Sequence, residues 1–202
     1  SNVEGTHIAL EVARSRGIPI LITSSSEVYG KNPNIPFSED ADRHYGSVYN
    51  ERWGYALSKT VDEFLAICFW RQYKTPVVTV RLFNTVGPRQ TGKYGMVIPR
   101  FISQAIKNEP ITVYGDGTQS RCFCHVKDIV ESLVALIDCP AAYGEIVNLG
   151  SSEPVTMNDL AKKIKLLVKS SSPIIKISYE KAYNSTFEDM KERIPNTSKA
   201  SK

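Results

Sequence analysis

Two short runs, Ile18-Pro-Ile-Leu-Ile-Thr23 and Pro76-Val-Val-Thr-Val-Arg-Leu82, constrain the fold of this chain more than any other feature. Both are β-branched and almost free of charge, the pattern of strands buried on both faces of a parallel sheet. Each follows a stretch with helical spacing. Val3, Ile8, Leu10, Val12 and Ala13 lead to a glycine stop at Gly17. Leu57, Val61, Phe64, Leu65, Cys68 and Phe69 mark a long helix ending near Tyr73. Helix, strand, helix, strand predicts an α/β fold, a doubly wound parallel sheet with helices on both faces.

Beyond Leu82 the elements shorten. Helices are predicted near 97–107, 126–137 and 157–168, with strands at 111–114 and 146–149. This region reads as a smaller α/β lobe interleaved with the last strands of the sheet, so that 1–95 belong mainly to the sheet and 96–202 to the lobe. The tail after Tyr183 is polar, basic and rich in Ser and Asn, a composition that predicts little order.

Composition excludes several classes of function. At 202 residues, 42% hydrophobic and 23% charged, the chain is ordinary for a globular protein with a real core. The net charge of +4 is not gathered into an Lys/Arg-rich run, which argues against nucleic acid or an anionic membrane as partner, though not against a small anionic ligand. No apolar stretch approaches the roughly 18 residues that span a bilayer, and no leader opens the sequence, so a cytoplasmic location is expected. Cys68, Cys122, Cys124 and Cys139 make no disulfide framework, and with His7, His44 and His125 they make no metal-ligand spacing. They read as structural thiols, and no metal is expected.

Tyr55 and Lys59 lie four apart on the long helix and therefore share a face. A phenol, with its ordinary pKa near ~10, becomes a usable base when an ammonium nearby favours the phenolate. Such a tyrosine can exchange a proton with a sugar hydroxyl. The pair alone also fits an ordinary surface contact. Its context is Thr23-Ser-Ser-Ser-Glu-Val-Tyr-Gly30, which sets hydroxyls and one carboxylate at the carboxyl end of a strand, where open α/β sheets bind ligands.

Together with Asn2-Val-Glu-Gly-Thr6, Arg81-Leu-Phe-Asn-Thr-Val-Gly-Pro-Arg89, Val113-Tyr-Gly-Asp-Gly-Thr-Gln-Ser-Arg121, Val126-Lys-Asp128 and Val147-Asn-Leu-Gly150, these segments resemble the extended short-chain dehydrogenase/reductase family over nearly the whole chain. Within that family the resemblance is to nucleotide-sugar epimerases, dehydratases and decarboxylases. It implies a Rossmann-like domain, NAD as cofactor, a UDP-sugar as substrate and a homodimer. Ser25 would be the catalytic hydroxyl, Tyr55 the acid/base, and Lys59 the group that holds the nicotinamide ribose. Ser26 and Glu27 would complete the catalytic set, and Phe83, Thr85 and Val86 would meet the cofactor. Asn2, Asn84, Val97 and Tyr114 would meet the substrate, and Arg121 would clamp its diphosphate.

The chain departs from the family's pattern in two respects. No G-x-G-x-x-G or G-x-x-G-x-x-G is present to cradle a pyrophosphate, so the amino-terminal part of the sheet is expected to be absent, and residues 1–202 alone to bind NAD poorly and lack turnover. Asn196 also stands where a related Arg-x-Pro-Asp tail carries Asp. As to the reaction, Ser26 in place of the dehydratases' Asp counts against dehydration. Ser26-Glu27 and Arg121 also occur in UDP-glucuronate decarboxylases, whereas Glu51-Arg-Trp-Gly-Tyr-Ala-Leu-Ser-Lys59 is closer to 4-epimerases. The sequence therefore favours 4-epimerisation of a UDP-sugar, with UDP-glucuronate decarboxylation, or a non-catalytic nucleotide-sugar binding fragment, as alternatives.

Overall fold

The computed structural model describes residues 2–92, 96–182 and 190–202. A three-stranded parallel sheet forms its centre, in the order β1 (Ile20–Ser25), β2 (Val77–Leu82), β7 (Ile146–Leu149). Helices α1 (Asn2–Arg16) and α2 (Glu51–Tyr73) cover one face through Leu10, Ala66 and Phe69, packed on Ile22 and Val77. Helix α4 (Val126–Ile137) covers the other, with Ile129 against Val78, Val80, Val147 and Leu149. The sheet is thus doubly wound, as the alternation of elements predicts.

Helix α1 ends in a Schellman turn, with the Gly17 amide donating to Arg14 O, the Ile18 amide to Ala13 O, and Gly17 at φ +62°. This turn consumes Ile18, so β1 starts two residues later than the apolar run suggests. Helix α2 starts earlier than its apolar pattern, at the Asn50 cap, whose side chain accepts from the Arg52 amide at 3.2 Å.

The smaller lobe has its own core. Helices α3 (Val97–Ile106) and α5 (Met157–Val168) pack through Phe101, Ala105, Leu160, Ala161 and Ile164 onto β4 (Ile111–Tyr114), which pairs in parallel with β9 (Ile174–Ile177). Short pairs join lobe to sheet: β3 (Thr85–Val86) with β6 (Cys124–His125), and β5 (Ser120–Cys122) with β8 (Pro154–Thr156). Helix α6 (Tyr179–Ala182) precedes the last described segment. Cys122 is fully buried, and burial pushes its thiol up to about 11, in keeping with a packing role.

The expectation of little order in the tail fails for residues 190–202; residues 183–189 lie outside the described residues. The Phe37 amide donates to Ile194 O, the Asn196 amide donates back to Phe37 O, and Arg193 and Pro195 are buried. Asn196 accepts from the Ser198 amide at 3.0 Å and caps the final turn, while Lys199 reaches Glu145. Strand-like pairing with a distant loop orders this segment, and composition cannot register it.

The apolar spacing on α2 also divides differently from the sequence reading. The buried stripe runs through Trp53, Ala56, Ala66 and Phe69, whereas Leu57, Val61 and Phe64 are exposed, Phe64 by 69%. Ile8 and Val12 of α1 are exposed as well. Trp70 belongs instead to the packed margin of the core and lies against Gly144.

Candidate active site

The site lies at the carboxyl ends of β1 and β2, between the sheet and the lobe. Ser25 ends β1 and caps a 3-10 turn over Ser26–Tyr29, its hydroxyl accepting from the Glu27 amide at 3.3 Å. Val28 and Tyr29 are buried and anchor the turn. The Tyr29 hydroxyl donates to Asn148 Oδ1 at 2.7 Å and accepts from Arg81 Nη1 at 2.8 Å. Gly30 closes the turn at φ +59° against the His44 carbonyl, where a side chain would be both strained and blocked. The anchored turn aims Glu27 outward.

A cleft of about 500 Å³ opens in front of it. From the predicted set, Glu27, Tyr55, Asn84, Thr85, Val86, Val97, Tyr114 and Arg121 line this cleft, although they come from six separate stretches of chain. Tyr55 is half exposed there. Asn84 Nδ2 donates to Cys122 O at 3.1 Å, and Arg121 Nη1 donates to Ser120 O at 2.7 Å.

The remaining predicted residues do not form its walls. Lys59, one turn beyond Tyr55, donates to Thr23 O at 3.0 Å and to Asp62 Oδ2 at 3.4 Å, which fixes its ammonium beside the end of β1. Ser26 is buried beneath the turn. The Phe83 side chain is fully buried, packed with Val28, Tyr29 and Phe37, so it shows no ligand-facing surface. Asn2 is exposed at the start of α1, donates to Ser58 Oγ at 3.1 Å, and borders a separate shallow depression with His7 and Leu65.

Sequence reasoning missed three arginines. Arg52, in the first turn of α2, and Arg193, in the tail, both grip Glu27, with closest approaches of 3.2 and 2.5 Å. Arg100 of α3 lies 3.8 Å above the centroid of the Tyr114 ring, and its buried Nε has no hydrogen-bond partner among the described residues. Arg52 sits three residues before Tyr55, where one helical turn brings it to the same end, and that spacing was the available signal. Nothing local marks Arg193.

Beneath the site lies a buried polar network. Glu63 of α2 accepts from Arg81 Nε at 2.8 Å and Nη2 at 2.9 Å, from Ser24 Oγ at 2.6 Å, and from Arg43. Burial alone would raise the Glu63 carboxyl, but Arg81, Ser24 and Arg43 hold it below the usual carboxylate range. Burial likewise pushes the Tyr29 hydroxyl up, only partly offset by Arg81 and Asn148. The network ties α2, β1, β2 and β7 into one frame. Among the described residues no cluster of three His, Cys, Asp or Glu could hold a metal, and no helix is long and apolar enough to cross a membrane.

Residues 1–150 match the NAD dependent epimerase/dehydratase family. The chain belongs to that family. It is 42% identical over 200 residues to UDP-N-acetyl-alpha-D-glucosaminuronate decarboxylase of Bacillus cytotoxicus, a match covering 98% of this chain and 61% of that protein. In structure it resembles the UDP-N-acetylglucosamine 4-epimerase from Methanobrevibacter ruminantium M1 in complex with UDP-N-acetylmuramic acid, with a TM-score of 0.88, 28% identity, and coverage of 100% of this chain and 61% of that one. It also resembles the UDP-glucuronic acid 4-epimerase from Bacillus cereus in complex with UDP-glucuronic acid and NAD, with a TM-score of 0.83, 27% identity, and coverage of 100% and 60%. The chain thus spans about three-fifths of the length of these relatives.

The family's cofactor is NAD. The donor set here fits its nicotinamide half: Tyr55 and the anchored Lys59 stand one turn apart beside the end of a parallel strand.

Proposed function

We propose that the protein acts on a UDP-linked uronic acid, oxidising C4 of the sugar and releasing the C5 carboxylate as CO2. The observation that carries this reading is the arginine lining of the cleft. Arg52, Arg100, Arg121 and Arg193 all line it, with Arg52 and Arg193 paired to Glu27. Guanidiniums suit a substrate that carries both a diphosphate and a sugar carboxylate. The similarity to a decarboxylase of a UDP-linked uronate supports the same choice.

In this reading Arg121 pairs with the diphosphate and Asn84 orients the sugar. Tyr55 takes the proton of the C4 hydroxyl, helped by Ser25, whose oxygen already accepts the Glu27 amide and whose own proton can meet a substrate oxygen. NAD, held at its nicotinamide end by Tyr55 and Lys59, would supply the hydride acceptor for this oxidation and the hydride donor for the closing reduction. With C4 a ketone, the carboxylate on C5 belongs to a β-keto acid. The bond from C5 to the carboxylate carbon then breaks, CO2 leaves, and the electron pair moves to the C4 oxygen as an enolate that is reprotonated at C5. Arg52 and Arg193 hold Glu27 in place for this exchange.

The 4-epimerisation favoured by the sequence is the second reading, supported by the likeness to the UDP-glucuronic acid 4-epimerase. The exposed apolar stripe of Leu57, Val61 and Phe64, with Ile8 and Val12, is the surface through which two copies would pair.

Two measurements test the proposal. By calorimetry UDP-glucuronate should bind about tenfold or more tighter than UDP-glucose, the worth of one charge-assisted contact. With NAD and the chain extended to its relatives' length, CO2 should appear in step with a pentose product. Equal affinity for the two sugars would remove the carboxylate site. A 4-epimer that keeps its carboxylate would replace decarboxylation by epimerisation.

A further inference from the structure

We propose that the outer end of the smaller lobe docks onto an anionic lipid surface. Helix α5 buries Leu160, Ala161 and Ile164 against α3, yet its last turns expose Leu166 by 77% and Leu167 by 72%. Both point away from the lobe core, and Lys163 and Lys169 are exposed beside them. The end of α3 lies at the same place: Ser170 Oγ, just past α5, donates to Ala105 O at 2.7 Å. This brings Ile106, 64% exposed, and Lys107 to the same end.

The chemistry of this end suits a bilayer better than other partners. Adjacent leucines on a helix end can enter the acyl boundary while flanking lysines stay at the headgroup level. Although the charge of the chain as a whole is spread too evenly to favour an anionic membrane, this one end gathers the exposed Lys163, Lys169 and Lys107, with Glu109 close by in sequence, a local positive excess complementary to anionic lipid.

The geometry leaves catalysis undisturbed. Met157, at the opposite end of α5, lines the active-site cleft, so twelve residues of helix, about 18 Å, separate cleft and docking end. Docking there would hold the cleft away from the lipid, open to a soluble nucleotide sugar. No part of the interaction requires a membrane-spanning helix.

Co-sedimentation of the 202-residue chain with vesicles tests the idea without any catalytic assay. Vesicles of phosphatidylcholine mixed with phosphatidylglycerol should bind the chain, and vesicles of phosphatidylcholine alone should bind it at least about fivefold more weakly, with high salt closing the gap. Leu166→Ser with Leu167→Ser should lower partitioning about tenfold, and Lys163→Glu with Lys169→Glu about twentyfold or more. All four positions are exposed, so both variants should melt like the parent and bind UDP unchanged. Three results overturn the proposal: no binding to either vesicle, binding that ignores the leucines and is matched by heparin or an acidic protein, or leucine-dependent self-association without vesicle binding.

Discussion

Replacing Glu63 with Gln should destabilise the protein through a neighbour it leaves behind. Glu63 is 2% exposed, and Arg81, its bidentate partner on the central strand, is fully buried. A glutamine fills the same space but removes the negative charge, so the Arg81 guanidinium stays buried without a counterion. Breaking a buried pair from one side costs about 3–5 kcal/mol. At about 2–4 °C per kcal/mol for a chain of this size, the melting temperature should fall by roughly 10 °C. Urea unfolding followed by circular dichroism at neutral pH measures the loss directly. The double variant Glu63→Leu with Arg81→Leu should recover much of it, because no charge is then stranded. The acid limb supplies a second readout. The folded carboxyl lies below its unfolded value, so its contribution is present above the unfolded pKa and is lost as pH falls through the folded one. Glu63→Gln should therefore flatten the loss of stability on acidification below about pH 4.5. A loss under about 1 kcal/mol, or a double variant weaker than both singles, would refute the reasoning about the stranded charge.

Three further outcomes follow from the site and the helix faces. Tyr55→Phe should lower turnover by about 10² or more while calorimetric affinity for the UDP-sugar stays nearly constant, because it deletes a proton-transfer group; parental turnover removes Tyr55 from the chemistry. Arg121→Met should weaken UDP binding by about 1.5–3 kcal/mol, and unchanged binding removes the diphosphate clamp. Phe64→Glu should shift a dimer to monomer by sedimentation velocity without lowering monomer stability, since Phe64 buries little of itself within the chain; a parent that is already monomeric excludes the interface.

Local periodicity made most of the architecture legible in the sequence. Charge-free β-branched runs have few places to go other than a sheet covered on both faces, and that is where Val77 to Val80 lie. Spacing alone sets Tyr55 and Lys59 on one face of α2, because four residues of helix guarantee it, and Glu27 just past a strand end. The tertiary structure alone decided what surrounds them. Arg193 meets Glu27 across 166 residues of chain, and no spacing rule reaches that far. Phe83 and Ser26 carry no local mark that separates a residue under the site from one facing it; packing behind Tyr29 settled the first, and the 3-10 turn settled the second. Periodicity on α2 revealed an apolar helix without showing that it has two apolar stripes. Only the position of the sheet distinguishes the buried Trp53 to Phe69 line from the exposed Leu57 to Phe64 line. The tail shows the same limit, since its polar composition reports the cost of ordering it, while the backbone bonds to Phe37 that repay this cost exist only once the loop over 31–50 is in place.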